Sequence, residues 1–298
     1  MIVSVSRRTD IPAFFDEWFF NRLKEGFVDV VNPFNSKQGN RISLKKEDVD
    51  CFVFWTKNPE KFLNRIEELD GYNYYFQFTL NSYGVDIEPN VPSKSEKVIE
   101  VFKKLSLKIG KEKVIWRYDP IILTDKYTID YHIKYFDKLA SLLSQYTEKC
   151  VISFLDLYKK TKKNMREINV TELNNENMDF IANAFSKICK KYGLILSTCC
   201  EEIDLDKYGI KHNKCIDDEL IERISGKQLK QIKKDNQRGM CGCIKSVDIG
   251  VYNTCLHNCK YCYANYSNKE IIKNVKMHDK NFSFLLKSVN EDIKIYEK

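Results

Sequence analysis

The chain has 298 residues, of which 43% are hydrophobic and 13% aromatic, a composition that excludes a disordered protein and is ample for a packed core. A net charge of +7 permits an acidic partner without demanding one. No run of about 18 apolar residues is present, which excludes a membrane-spanning helix. MIVSVSRRTD also has too few apolar residues before its charges for a signal-peptide core, so the expected compartment is the cytoplasm.

The first predicted strand is IVSVS (2–6). FFDEWFFNRLKEG (14–26) follows, with apolar residues at helical spacing and Gly26 as a stop. VDVVNPF and RISLK (28–34, 41–45) read as an inserted hairpin. Strands recur at CFVFWT (51–56), YYFQFTL (74–80), VIWRYD (114–119), CVISFLD (150–156), LILST (194–198) and SVDIG (246–250). Helical patterns lie between them at 95–110, 130–146 and 178–193. The strands are apolar on both faces, as parallel strands buried on both sides must be. Alternation of strand and helix predicts an α/β fold: a parallel (β/α) barrel, TIM-barrel-like or partial, in a single domain over 1–298. An open doubly wound sheet is the alternative, but no Gly-rich dinucleotide turn supports it.

Each strand ends in a polar burst: SRRTD, TKNP, TLNSY, RYDP, LDLY, TCCEE and NTC. In a barrel these ends converge on one mouth, where active sites sit. Arg7, Arg8, Lys57, Arg117 and Glu201 would meet there. The arginines and Lys57 suit an anionic group, or else salt bridges with Asp10, Asp119, Asp156 and Glu201. Strand alternation puts Arg117 and Asp119 on one side, two residues apart, as the expected catalytic pair.

Cys51, Cys150 and Cys189 stand singly among apolar residues and read as core. The other eight cysteines fall in a cysteine-rich part over 199–265, and in a reducing compartment that argues for metal rather than disulfides. Cys255, Cys259 and Cys262 form C-x3-C-x2-C directly after a predicted strand. Three thiolates on a 4Fe-4S cluster leave one iron free to bind a small molecule. Cys199 or Cys200, with Cys215, Cys241 and Cys243, would supply four more thiolates. They suit an auxiliary 4Fe-4S cluster, with structural zinc or reduced thiols as alternatives. His257, inside the loop, is expected to be solvated.

The loop, with Tyr261 before its last cysteine, resembles the signature of radical S-adenosylmethionine (SAM) enzymes. SVSRRTDIPAF, NPFN, VFWTKNP, YYFQFTL, VIWRYDP, CGCIKSVDIGVYNTC and CKYCYAN together resemble a bacterial and archaeal family of unknown function with such a cluster at its C-terminal end. The resemblance implies a cluster that cleaves SAM to a 5′-deoxyadenosyl radical, and an electron donor such as flavodoxin or ferredoxin. In the superfamily the loop follows the first strand. Here it follows the last, which a permuted barrel with first and last strands adjacent would reconcile. Tyr261, Ser6, Arg7, Thr9 and Asp10 would then stand by position at the cofactor.

Two other classes compete. One is an iron–sulfur electron-transfer or sensor protein without SAM cleavage. The other is a zinc-organised module binding nucleic acid through the Lys-rich stretches 158–166 and 227–238, which read more simply as solvated faces. A substrate, small or macromolecular, is not specified.

Overall fold

The computed structural model describes residues 1–32, 35–156, 159–229, 233–235, 241–287 and 293–297. Eight strands form one all-parallel sheet: β1 (Ile2–Val5), β2 (Cys51–Thr56), β3 (Tyr74–Thr79), β4 (Val114–Ile121), β5 (Lys149–Phe154), β6 (Ile195–Thr198), β7 (Lys211–His212) and β8 (Val247–Asp248). Their order in space is β7-β6-β5-β4-β3-β2-β1-β8. Each strand from β1 to β7 is laid down beside the last, without the reversal that defines a doubly wound sheet. β8 then returns to the far side of β1, with Val3 beside Val247 and Ser4 beside Asp248. The expected neighbouring of first and last strands is therefore present.

No ladder joins β7 to β8 among the described residues, so the structure shows a large parallel sheet with a seam rather than a continuously hydrogen-bonded barrel. Among the described residues a single backbone bond, Ile244 N to Ile216 O at 3.2 Å, links the segments that flank this seam. β7 is only two residues long and went unpredicted, since a run that short carries no periodicity.

Alternation along the strands divides the core. Phe52, Phe54, Phe76, Phe78, Trp116 and Tyr118 pack on the outer face. There they meet α1 (Asp16–Glu25), α2 (Ile99–Ile109), α3 (Ile129–Leu143) and α4 (Asn175–Tyr192). Phe136 of α3 stacks on Phe185 of α4 at 3.7 Å between centroids and on Trp116 at 5.0 Å. On the inner face Ile2, Val53, Tyr75, Ile115 and Val151 are plugged by Ile216, Ile221 and Ile244. Cys51, Cys150 and Cys189 are buried as expected, Cys51 with the inner group.

Local signals explain the helix ends. Gly26 and Gly193 close α1 and α4 at φ 81° and 70°, conformations that glycine adopts without a Cβ penalty. The helix expected over 14–26 is interrupted at Phe15, which ends a short turn (Ile11–Phe14) before α1 begins. The hairpin pairs Phe27–Asn32 with Asn35–Ser43, and its turn residues 33 and 34 lie outside the described residues. Parts of both Lys-rich stretches, including 158, 230–232 and 236–238, also lie outside them. No described helix is long and apolar enough to cross a membrane.

Candidate functional site

Parallel strands carry all their C-terminal ends to one edge of the sheet, and a cavity of about 340 Å³ opens there. Every residue proposed from the sequence for the site lines it. Ser6, Arg7, Thr9 and Asp10 come from the turn after β1, and Arg117 and Asp119 from β4. Cys199 follows β6 and Cys215 follows β7; Cys241 and Cys243 precede β8, and Cys255, Cys259, Tyr261 and Cys262 follow it. All eight cysteines between 199 and 262 face this one space.

The three loop thiols are close enough to affect one another electrostatically. Burial pushes all three up, Cys259 to about 12, while the Lys57 ammonium opposes this at Cys259 and Cys262. The loop is anchored to the stretch after β3. Lys260 N donates to Ile87 O (2.9 Å), Asn90 N donates to His257 O (3.3 Å), and Asn90 Nδ2 donates to Leu256 O (2.7 Å). Asn253 and Asn258 take positive φ values of 58° and 53°, which asparagine tolerates better than most residues. His257 corrects its expectation. It is 2% exposed, and its Nε2 lies 2.9 Å from Asp10 Oδ2, because a loop docked against the β1 turn has no solvent on that side.

Asp10 is a junction. Its Oδ1 accepts from Ala13 N (3.0 Å), and its Oδ2 accepts from Lys57 N (2.7 Å) as well as facing His257. Ser6 Oγ and Arg7 N donate to Asp248, whose carboxylate ties the β1 turn to the end of β8. A side chain at Gly250 would collide with Ser6 Oγ, so glycine there permits this close approach. Arg7 pairs with Asp235 (3.7 Å) and lies over Trp55; Arg8 reaches Asp248 (3.9 Å). These partners differ from those expected, since the sequence does not show that β8 delivers Asp248 beside the arginines.

Arg117 is 4% exposed and sits on the inner side with Asp119. Its Nε and Nη2 donate to Asp119 Oδ2, and its Nη1 donates to Gln77 Oε1 (3.2 Å) and to Cys215 Sγ (3.0 Å). Four donations of a five-donor fork are thus made within the protein. Ser153 Oγ bonds Asp119 Oδ1. Thiol contacts with Cys199 and Cys243, then Arg117, hold Cys215 well below the usual thiol range. Contact with Cys243 draws Cys241 down to about 6. Among the described residues, no three His, Cys, Asp or Glu side chains form a ready-made single-ion site.

Sequence reasoning missed Glu88. It is 1% exposed, and its Oε1 accepts from Lys57 Nζ (2.7 Å) and Tyr261 OH (2.5 Å), while Oε2 lies 2.8 Å from Lys94 Nζ. Asn81 Nδ2 donates to both Glu88 and Tyr261. Glu88 lies beyond any predicted strand in a stretch without periodicity, so nothing marked it.

Fold and cavity together define an α/β protein whose parallel sheet gathers eight cysteines at the ends of its strands. Residues 2–264 match the family described as domain of unknown function (DUF1848), and the chain belongs to that family. No curated protein matches the chain. Among solved structures, a crystal structure of a candidate alpha-L-fucosidase from Bacteroides thetaiotaomicron is similar at 13% identity and a TM-score of 0.26, over 61% of this chain and 75% of that one. A likeness that shallow carries no argument about fold or activity.

Proposed function

We propose that the chain is a radical SAM enzyme built on a permuted, partial β/α barrel, with a 4Fe-4S cluster held by Cys255, Cys259 and Cys262. The observation that carries this reading is the opening of all three thiols onto one cavity beside unsatisfied polar atoms. Thr9 Oγ1, His257 Nδ1 and Asn265 Oδ1 are buried, belong to residues that line the cavity and have no hydrogen-bond partner among the described residues. Buried polar atoms are normally paired, so their orphaning here fits a ligand that completes them.

The donor chemistry also fits. Three thiolates suit an iron–sulfur cluster with one open iron. Lys57 offsets the negative charge that thiolates bring, and Glu88 fixes Lys57 in place. His257 Nε2 faces Asp10, and its Nδ1 is without a protein partner among the described residues. Asn265 Nδ2 donates to Cys255 O (3.0 Å), which leaves Oδ1 as an acceptor. An amide oxygen and a hydroxyl suit the N–H groups of a ligand amine, such as the amino group of SAM. When bound, such a cluster supplies an electron that cleaves SAM to methionine and a 5′-deoxyadenosyl radical. Flavodoxin or ferredoxin is the class of donor this requires. A cavity of about 340 Å³ is of the size that takes a small-molecule ligand, which an electron carrier or sensor does not need.

The test is SAM turnover in anaerobically reconstituted protein with dithionite. We expect 5′-deoxyadenosine and methionine from the native chain and neither from Cys255→Ala/Cys259→Ala/Cys262→Ala. Equal product from both proteins would overturn the reading.

A further inference from the structure

Five thiols outside the cluster loop gather at the seam of the sheet. Cys199 and Cys200 follow β6, Cys215 lies just past β7, and Cys241 and Cys243 lie just before β8. Cys199 Sγ is 3.3 Å from Cys215 Sγ. Cys200, Cys241 and Cys243 line the same cavity, and Cys243 Sγ lies 3.2 Å from the backbone N of Cys215.

Donors converge on two of these sulfurs. Cys215 Sγ accepts from Arg117 Nη1 (3.0 Å) and Asn213 Nδ2 (3.4 Å). Cys243 Sγ accepts from the backbone N of Cys215 (3.2 Å) and of Ile216 (3.4 Å). Neutral thiols are weak acceptors, and N–H donation to sulfur is how proteins stabilise and tune thiolates on a metal. Adjacent buried thiolates repel unless a cation lies among them. Arg117 touches Cys215 but is already paired with Asp119, and Arg7, which stands near Cys215 and Cys243, is paired with Asp235.

We infer that four of these five cysteines, Cys199 or Cys200 with Cys215, Cys241 and Cys243, bind a thiophilic metal centre that staples the sheet where β7 and β8 do not pair. Its ligands come from three stretches on the two sides of the seam, which among the described residues one backbone bond, Ile244 to Ile216, links directly. A metal there would do the structural work of the missing ladder. Binding replaces thiol protons with metal bonds and spreads the sulfurs. In tetrahedral zinc, bonds of about 2.3 Å place sulfurs roughly 3.8 Å apart, slightly beyond the contact between Cys199 and Cys215. An iron–sulfur cluster shares the same thiolate chemistry and spreads them further. The inference does not depend on the cluster-loop assignment.

The test is zinc, iron and sulfide analysis of the full chain, purified anaerobically. We compare the native protein, the loop triple-alanine variant and Cys215→Ser/Cys243→Ser. The loop variant should retain either about one zinc, or about four irons with sulfide, and lose at least several degrees of melting temperature when that metal is chelated. The seam variant should lose that same metal and keep the loop's. Should the seam variant fold poorly, Cys241→Ala, at a partly exposed position, gives the same comparison. A loop variant without bound metal, or seam variants with unchanged metal, would overturn the inference. If the loop reading alone is wrong, native and loop-variant metal contents are equal and the seam variant holds none.

Discussion

Replacing Glu88 with glutamine is expected to destabilise the fold by about 3 kcal/mol or more at neutral pH. The substitution leaves the Lys57 and Lys94 ammoniums, both within 2.8 Å of this carboxylate, without a counter-charge. Breaking a buried ion pair by removing one partner costs about 3–5 kcal/mol. The acid dependence follows from the same geometry. Burial works to raise the Glu88 pKa, but Lys57 and Lys94 outweigh it and hold it at about 2, below its ordinary value of 4.5. Because the folded value lies below the unfolded one, the stabilisation is complete above pH 4.5 and is lost as pH falls toward 2. That window is worth roughly 3 kcal/mol in the native chain and nothing in the glutamine variant. Urea unfolding from pH 7 downward measures both. Equal stability at pH 7 with parallel acid profiles would remove Glu88 from its place beneath the loop.

Asp10→Ala is the second large effect. It deletes the cap on Ala13 N and leaves Lys57 N and His257 Nε2 buried without an acceptor. A lost cap costs about 1 kcal/mol and each unsatisfied buried donor about 1–3, so a loss on the order of 3 kcal/mol is expected. Freed from Asp10, His257 should also let the cluster loop loosen, and iron retained after desalting should drop at least twofold. Chemical denaturation together with iron analysis checks both. A variant of native stability and iron content would show that the β1 turn does not hold the loop.

The strands were legible because they are buried on both faces, so that CFVFWT and YYFQFTL are nearly continuous apolar runs. The convergence of Ser6–Asp10, Arg117, Asp119, Cys199 and the loop cysteines followed from strand order, since parallel strands bring their C-terminal ends together. That of Cys215, Cys241 and Cys243 did not, because Cys215 follows the unpredicted β7 and the other two precede β8. Pairing followed only in part. Arg117 meets Asp119 as expected, but Arg8 and Lys57 reach Asp248 and Glu88, which were not among the partners the sequence offered (Asp10, Asp119, Asp156 and Glu201). Ion pairs depend on approach across the sheet, and approach leaves no mark on local pattern. His257 was misjudged for the same reason: its burial comes from docking on Phe14 and Asp10, more than 240 residues earlier in the chain. β7 and the seam were invisible because two residues cannot show a period.

The central claim is that Cys255, Cys259 and Cys262 hold a cluster whose open iron binds SAM. Electron paramagnetic resonance of the reduced, anaerobically reconstituted chain, recorded with and without SAM, tests it most directly. The account predicts a reduced-cluster signal that shifts when SAM is added and is missing from the loop triple-alanine variant. A signal indifferent to SAM, or one that survives in that variant, would contradict it.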